Sequence, residues 1–337
     1  MHIRTQLSLA ALVTLTLISA PCAAQSVTTY GQVRLTVNQI KTGNAATVRE
    51  LRDNASRLGF RGTEDLGGGL EALFGLETGF GSDTGDFGNP VFRNSYVALR
   101  GGMGTVALGR LDSGNPTGSP LYSQFTSMTH FAPNDAGATA TSTSMFNARN
   151  RTSNSIGYSS PKLGNASLRV RTYYRGAGTA TELENSARST DVGLNYDSGP
   201  FKAALGWAQD TRQGGLRNNE FDDKWQAGVS YQATQGLDVY LFAGRDRFRN
   251  TATTRRDVNY KLLGAAYRVG VHKVVFNVMQ RDVQASLAGK RNRQQVSYQY
   301  FLSKRTELQF FIDNDGIDSS KSNVRVRAIG TGIRHDF

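Results

Sequence analysis

Cysteine, proline and long apolar runs are all scarce in this chain of 337 residues. Its single cysteine, Cys22, excludes a disulfide scaffold. No apolar run approaches the roughly 20 residues that a transmembrane helix needs, which excludes a helical membrane protein. Hydrophobic residues make up only 38%, which argues against a large dry core. With 7 Pro against 13 Tyr and 17 Phe, the composition also argues against a disordered chain.

The first 24 residues have the pattern of a secretory signal peptide. A basic residue, Arg4, precedes an apolar stretch from Leu7 to Ile18, and small residues follow. This stretch is too short for a permanent membrane anchor. We expect cleavage after Ala24, which removes Cys22 and leaves residues 25–337 as one domain. Loss of Arg4 lowers the formal net charge by one, from +12 to +11.

The rest of the chain is patterned with a period of two residues. Apolar and polar side chains alternate in the segments 30–38, 166–174, 201–207, 225–231 and 295–300. Short turn-forming connections occur near 65–69, 101–102, 161–164, 197–200, 234–236, 270 and 303–304. They alternate with longer polar connections near 41–53, 82–91, 111–150, 177–187, 212–220, 247–255, 285–290 and 315–322. Seven short and eight long connections join sixteen strands.

Strands with one apolar and one polar face fit two architectures. In a soluble sandwich the apolar faces of two sheets meet, whereas in an outer-membrane barrel the apolar face meets lipid and the polar face lines a lumen. Export, an even strand number and regular alternation of short and long connections favour the barrel, because closure satisfies the backbone donors within the bilayer. We predict an all-β fold, a transmembrane antiparallel β-barrel in the outer membrane of a Gram-negative bacterium.

Arginine outnumbers lysine 30 to 9, and alternation places several arginines on the polar, inward face. These are Arg34, Arg57, Arg61, Arg151, Arg169 and Arg171. An arginine facing lipid near the midplane would cost roughly 2–4 kcal/mol, which favours the same placement. Other basic residues lie by an external loop, where we expect contact with water or lipopolysaccharide phosphates: Arg245, Arg247, Arg249, Arg255 and Arg256. Because the chain is exported and its arginines are spread over separate strands, we expect no nucleic-acid partner.

Five segments carry a more specific signal. They are SVTTYGQV near the mature start, SRLGFRGTEDLGGGLEALFGLETGF from Ser56 to Phe80, RNSYVALRGGMGTVALGRLDS from Arg93 to Ser113, RTSNSIGYSSP from Arg151 to Pro161, and the final GIRHDF. The chain thereby resembles the general porins of betaproteobacteria such as Burkholderia and Neisseria relatives. The resemblance implies a homotrimer whose third external loop, Leu111 to Asn150, folds into the lumen. It also implies that Arg57, Arg110 and Arg151 occupy the positions of the family's constriction arginines.

The positions of Arg110 and Phe337 can also be interpreted from strand geometry and side-chain chemistry. Arg110 shares the parity of outward Val106 and Leu108, so it needs a bulge or a loop-start position to point inward. Phe337 ends an alternating strand, and a terminal aromatic carboxylate resembles the signal recognised by the barrel-assembly machinery. We therefore interpret Phe337 as an assembly element and a lipid-facing anchor.

The charges assigned to the lumen predict its ion preference. Within Leu111 to Asn150 the acids are Asp112 and Asp135, which do not balance the inward arginines. If Asp135 faces those arginines, a transverse field crosses the constriction. Fixed positive charge in a narrow pore concentrates anions and repels cations, so we predict anion preference.

Motifs of enzymes and of metal sites are absent from the sequence. The mature chain keeps only His130, His272 and His335, without zinc-ligand spacing, and it has no GxSxG motif or P-loop. Ser127 and Asp135 near His130 do not by themselves build a triad. We expect no enzyme, cofactor or metal, and passive diffusion of small hydrophilic solutes. A substrate-specific porin and a structural or adhesive outer-membrane barrel remain open as alternatives.

Overall fold

The computed structural model describes residues 26–112, 117–118, 120–128, 151–174, 188–211, 220–249, 255–284, 289–319 and 322–337. The predicted signal peptide and Asp135 lie outside these ranges. Among the described residues, no helix is both long and apolar enough to cross a bilayer.

Seventeen strand segments and one short helix follow one another in the described part of the chain. They are β1 (Ser26–Thr42), β2 (Val48–Asp53), β3 (Arg57–Gly67), β4 (Leu70–Phe80), β5 (Phe87–Gly101), β6 (Gly104–Leu111), α1 (Pro120–Met128), β7 (Thr152–Ser159), β8 (Ala166–Tyr174), β9 (Arg188–Ser198), β10 (Phe201–Thr211), β11 (Glu220–Thr234), β12 (Leu237–Arg249), β13 (Arg255–Val269), β14 (His272–Gln284), β15 (Gly289–Phe301), β16 (Thr306–Ser319) and β17 (Ser322–Asp336).

The strands form one antiparallel sheet that closes on itself, because β1 pairs with β17. Strand β1 also pairs with both β2 and β3. β3 pairs with the first half of β1, and β2 pairs with its second half. Between them the chain is interrupted at Ala55, which has a φ of 65°, and the register shifts there by one residue. Segments β2 and β3 are therefore two halves of one barrel strand, and the predicted barrel of sixteen strands is confirmed.

The two ends of the barrel have different connections. All seven predicted short turns lie at one end, and glycines with positive φ serve several of them, such as Gly236 (φ 90°) and Gly270 (φ 55°). At the other end the strands continue into residues that the sequence pattern assigned to loops. Val48–Asp53 is strand β2, and β16 and β17 meet across a gap of only two residues, 320–321. Ladder hydrogen bonds hold polar segments as well as apolar ones, so the strands extend beyond the apolar band.

Alternation separates the two faces of the wall. On β1, Val37 is 56% exposed on the outer face, whereas its neighbour Asn38 is 1% exposed on the inner face. Strand register extends this assignment around the barrel, because directly paired residues share a face. The outer face is rich in exposed apolar residues such as Phe60, Leu241 and Ile329. It forms the surface that meets lipid.

The inner face is not polar throughout, contrary to the expectation from alternation. Strands β12 to β14 turn a buried apolar cluster inward, where Phe125 of α1 meets Phe242 edge to face with ring centroids 5.3 Å apart. The other members of the cluster are Tyr240, Tyr260, Leu262, Ala266, Val275 and Met279. Phe125 of α1 belongs to this cluster, so this part of the inner wall is apolar and buried.

Candidate functional site

A row of alternating charges crosses the inner wall near the middle of the barrel. Arg57 Nε lies 3.7 Å from Glu77 Oε2, and Arg93 Nε lies 2.8 Å from Glu77 Oε1. Arg93 Nη2 is 3.6 Å from Asp112 Oδ2, and Arg151 Nε donates to the same oxygen at 2.6 Å. We call these five residues the charge row. Three guanidinium groups and two carboxylates leave it with a formal excess of one positive charge.

Strand register explains how this row forms from residues far apart in sequence. Arg57 pairs with Gln32 of β1, whose side chain is buried on the inner face. Glu77 of β4 pairs with Gly59, two residues along β3 from Arg57, so both side chains point inward. The two ends of the long connection, Asp112 and Arg151, complete the row from β6 and β7.

Arg93 reaches the row through a β-bulge. In the pairing of β4 with β5, Glu77 is opposite Asn94 and Thr78 is opposite Phe92, so Arg93 is an extra residue at this point. Simple alternation from outward Val97 would have turned Arg93 outward. Sequence reasoning missed Arg93 for this reason, since a bulge changes the phase of the pattern.

Arg110 forms no ion pair with the charge row, although it lies near enough to Arg151 and Asp112 for their charges to act on it. Arg110 pairs with Ser95 and lies two residues after Leu108 on β6, so alternation gives both residues the same outward direction. Its Nη1 donates to Ser153 Oγ at 2.7 Å. A bulge does occur here, because Gly109 has a φ of 141° and the register shifts between Gly109 and Leu111. The bulge turns the next residues inward, and Leu111 is therefore fully buried.

The remaining predicted arginines lie on the inner face in different settings. Arg61 lies over the ring of Tyr30, 5.1 Å from its centroid. Arg34 is opposite Arg334 of β17, whose Nη2 is 2.8 Å from Asp336.

Arg171 contributes little free charge to a lumen, whereas Arg169 keeps its positive charge because its contact is with a neutral hydroxyl. Arg169 Nη1 donates to Ser123 Oγ of α1 at 2.7 Å. Arg171 is 0% exposed and forms an ion pair with Asp191, which is directly opposite in the register. The ring of Tyr173 also lies 5.9 Å from the Arg171 guanidinium carbon. Arg171 therefore points inward but is buried and neutralised.

The inner wall also carries acids that the sequence prediction did not count. Lys224 forms an ion pair with Asp246, Arg291 with Asp315 and Arg293 with Asp313, and all six side chains are buried. The inward basic residues are therefore balanced by more acids than Asp112 and Asp135. Glu77 was missed in the same way, although its inward parity beside Leu76 could have revealed it.

Helix α1 lies against the inner face of β8 to β11. Gln124 Nε2 donates to the carbonyl oxygens of Leu194 (3.1 Å) and Leu205 (2.8 Å), and Gln226 Nε2 donates to Leu121 O at 2.8 Å. A Cβ atom at Gly193 would lie 2.6 Å from Pro120 Cβ, so this close approach requires glycine. The fold of the whole loop 111–150 into the lumen stays a prediction, because residues 129–150 lie outside the described ranges.

No group of three or more His, Cys, Asp or Glu side chains that could hold a metal ion occurs in the part of the chain that the structure describes.

A closed barrel of sixteen strands with an inward charge row is typical of a diffusion channel. The Gram-negative porin family matches residues 8–319. The chain belongs to this family. Outer membrane porin protein 32 of Delftia acidovorans is 31% identical over 366 residues, which cover 98% of this porin and 99% of that relative. Major outer membrane protein P.IB of Neisseria gonorrhoeae is 30% identical over 225 residues, which cover 63% and 60%.

Solved structures agree with this membership. The anion-selective porin from Comamonas acidovorans superimposes with a TM-score of 0.75 at 26% identity, covering 93% of this porin and all (100%) of that chain. The trimer form of OmpT from Vibrio cholerae has a TM-score of 0.66 over 93% of this porin and 100% of that chain, but at 11% identity it supports the fold alone. This porin is thus a multi-pass β-barrel of the outer membrane and a passive channel, not an enzyme.

Proposed function

We propose that this porin admits small hydrophilic solutes through a water-filled lumen and prefers anions. The charge row carries the proposal, because three arginines outnumber Glu77 and Asp112 on one side of the channel. Excess positive charge in a pore with low-dielectric walls raises the local anion concentration. The likeness to an anion-selective porin supports the same reading.

In this proposal the porin selects among solutes without forming a covalent bond to any of them. The cross-section of the lumen excludes large solutes, and the charge row sorts small ones by charge. We propose that the long connection 111–150 folds into the lumen and narrows it. The contacts of α1 with the inner wall through Gln124 and Gln226 support this placement. Asp135, Arg34 and Arg61 remain proposed lining residues.

The zero-current potential of the purified porin in a planar bilayer with a salt gradient tests the anion preference. We expect a sign that reports anion selectivity, and weaker selectivity for Arg57→Gln and Arg151→Gln. Arg245→Gln is the matched control, because Arg245 lies on the outer face and pairs with Asp257. Cation selectivity of the wild-type porin would contradict the proposal. Absence of conductance would favour a structural or adhesive barrel.

We further propose that this porin is a homotrimer. The trimer form among the structurally similar barrels supports this proposal at the level of the fold. Mass measurement of the detergent-solubilised porin, with the detergent subtracted, should give three times the mass of one mature chain. A monomer that still conducts would contradict the trimer and leave the proposed ion preference standing.

A further inference from the structure

A groove of about 560 Å³ crosses the outer wall of the barrel on strands β7 to β10. Two of the residues that line it, Ile156 and Tyr174, are 42% and 46% exposed. Arg171 and Tyr173, which alternate with the groove residues on β8, are buried on the inner face. Alternation therefore directs the groove toward lipid. Its volume lies within the roughly 300–1,000 Å³ that sites for small organic ligands have.

Strand register explains the length of the groove. Thr172 of β8 is directly opposite Ile156 of β7 on one side and Thr190 of β9 on the other. Gln209 of β10 is in turn opposite Thr190. We call these four residues the floor row. Neighbouring strands lie about 4.8 Å apart, so a row across four strands is about 14 Å long. This length accommodates a fused polycyclic ring system.

The floor row rises from the lower part of the lipid face to its upper part. Ile156 lies three residues from the short-turn end of β7, and Thr172 lies six residues from that of β8. Thr190 and Gln209 each lie eight residues from the short-turn ends of their strands. Because short turns of bacterial barrels face the periplasm, the Gln209 end is nearer the outer-leaflet interface. Trp207, two residues before Gln209, has the ring type that is enriched at such interfaces.

Rigid side chains surround the floor row. The rings of Tyr158 and Trp207 lie at its lower edge, and the ring of Tyr174 lies at its upper edge. Tyr158 Oη already donates to Met103 O at 2.7 Å, so Tyr158 offers the groove its ring. A stiff groove favours a rigid ligand, because a flexible chain loses more conformational entropy on binding. Four other lining residues are β-branched and have few rotamers, namely Ile156, Val170, Thr172 and Thr190.

The groove offers hydrogen-bonding groups, and its described lining is uncharged. The hydroxyl oxygens of Thr172 and Thr190 are 3.3 Å apart and share one hydrogen, which leaves the other hydroxyl hydrogen and several lone pairs available. Among the described residues, none forms a hydrogen bond with the Gln209 amide. A polar group that faces lipid without a partner is costly. A ligand hydroxyl at the Gln209 end would remove part of this cost.

We propose that this groove binds a flat, uncharged polycyclic lipid that carries a hydroxyl group, of the hopanoid or sterol class. The fused rings lie along the floor row, with the apolar end against Ile156 and the hydroxyl beside Thr190 and Gln209. The uncharged lining complements a neutral lipid better than an ionic head group, because no described lining residue offers a counter-charge. The site lies on the outer wall, so it is independent of the ion preference of the lumen.

Energy transfer from tryptophan to the fluorescent sterol dehydroergosterol tests this site in the purified porin, reconstituted in phosphatidylcholine vesicles. The chain has two tryptophans, Trp207 in the groove and Trp225 beside it, with ring centroids 6.4 Å apart. We expect transfer that saturates as the sterol fraction rises, and displacement of the sterol by a hydroxylated hopanoid. Thr172→Phe fills the floor and should bind at least about tenfold more weakly. The matched control Thr331→Phe adds the same ring at an exposed outward position of β17 and should bind within about twofold of wild type.

A second variant tests the hydrogen bonds while keeping side chains of similar size. Thr172→Val/Gln209→Leu should bind dehydroergosterol about fivefold or more weakly than wild type. It should also lose the preference for cholestanol over cholestane, two competitors that differ by the hydroxyl group. This variant keeps the proposal testable if Thr172→Phe does not fold.

Four results would overturn the proposal. Transfer that rises without saturation in the wild-type porin would show random mixing of the sterol, and equal binding by a folded Thr172→Phe barrel would place the sterol elsewhere. Equally strong competition by octadecanol would make a flexible acyl chain the occupant. A lower oligomeric mass of Thr172→Phe in detergent would make a second copy of this chain the occupant.

Discussion

Arg93 of β5 and Arg110 of β6 lie near each other on neighbouring strands and carry the same charge, yet only Arg93 forms an ion pair in the charge row. The difference comes from where each bulge adds its extra residue. The bulge in β5 turns Arg93 inward, whereas the bulge after Gly109 turns Leu111 and Asp112 inward and leaves Arg110 beside Ser95. At the residue scale, one local irregularity therefore decides which guanidinium group joins the charge row.

Exchange of Arg93 for glutamine tests this assignment. Arg93→Gln lowers the formal charge of the row from one positive excess to zero. We expect the ratio of anion to cation permeability, taken from zero-current potentials, to fall roughly threefold or more. Arg110→Gln is the comparison variant and should lower the ratio less, because Arg110 forms no ion pair with the row. A larger effect of Arg110→Gln would show that Arg110, not Arg93, faces the permeating ions.

The buried pair of Arg171 and Asp191 predicts a large effect on stability. Asp191→Asn removes the carboxylate charge beside a guanidinium group that is 0% exposed. Breaking a buried ion pair on one side costs about 3–5 kcal/mol, so we expect a lower free energy of unfolding by that amount in urea titrations in lipid vesicles. Glu71→Gln breaks the exposed pair with Arg100 and should change little. Equal effects of the two variants would contradict the role of burial.

At the scale of elements, the approach of α1 to the barrel wall depends on a groove made by glycines. A Cβ atom at Gly206 would lie 2.7 Å from Gln124 Oε1, and one at Gly193 would meet Pro120. Glycines therefore stand where the helix lies, and amide side chains at Gln124 and Gln226 hold it there. This part of the wall positions the helix, and the charge row lies on other strands.

A larger side chain in the groove should push α1 away from the wall. For Gly193→Val we expect a lower single-channel conductance, because the helix moves toward the lumen and narrows it. Gly102→Ala is the control, since a Cβ atom there meets nothing within 4 Å. Planar-bilayer recordings give the conductance, and resistance of the folded band to heating in electrophoresis verifies the barrel. Wild-type conductance in a folded Gly193→Val barrel would contradict the placement of α1.

At the scale of the whole molecule, closure joins the two ends of the described chain. The backbone of Phe337 exchanges two hydrogen bonds of 3.1 Å with Gly31, and the Phe337 ring packs over Gly31 on the outer face. The final residue thus takes part in the seam between β1 and β17. This contact accounts for a packing role, and the role as an assembly signal stays a prediction.

Two measurements separate packing from recognition at Phe337. If the assembly machinery recognises the residue, Phe337→Ala should refold from urea into detergent nearly as well as wild type, while its yield in the outer membrane of cells falls severalfold. Phe310→Ala is the control, because Phe310 is a similarly exposed outward aromatic residue (46% against 43%). A parallel loss in both assays would assign Phe337 to packing alone.

The sequence by itself determined the architecture of this porin, because alternation and turn signals are local properties. Seven short turns, sixteen strands and the inward parity of Arg57, Arg61, Arg169 and Arg171 all follow from a period of two residues. The same pattern overestimated the length of several loops, since polar segments also form ladders.

Only the tertiary structure decided which charges meet. Bulges change the phase of alternation by one residue, and this selected Arg93 over Arg110. Burial of Arg171 against Asp191, and the apolar cluster that includes Phe125 of α1, depend on contacts between residues far apart in the chain. A period of two residues along the chain does not specify such contacts, because they form only when the sheet closes and α1 packs on its inner wall.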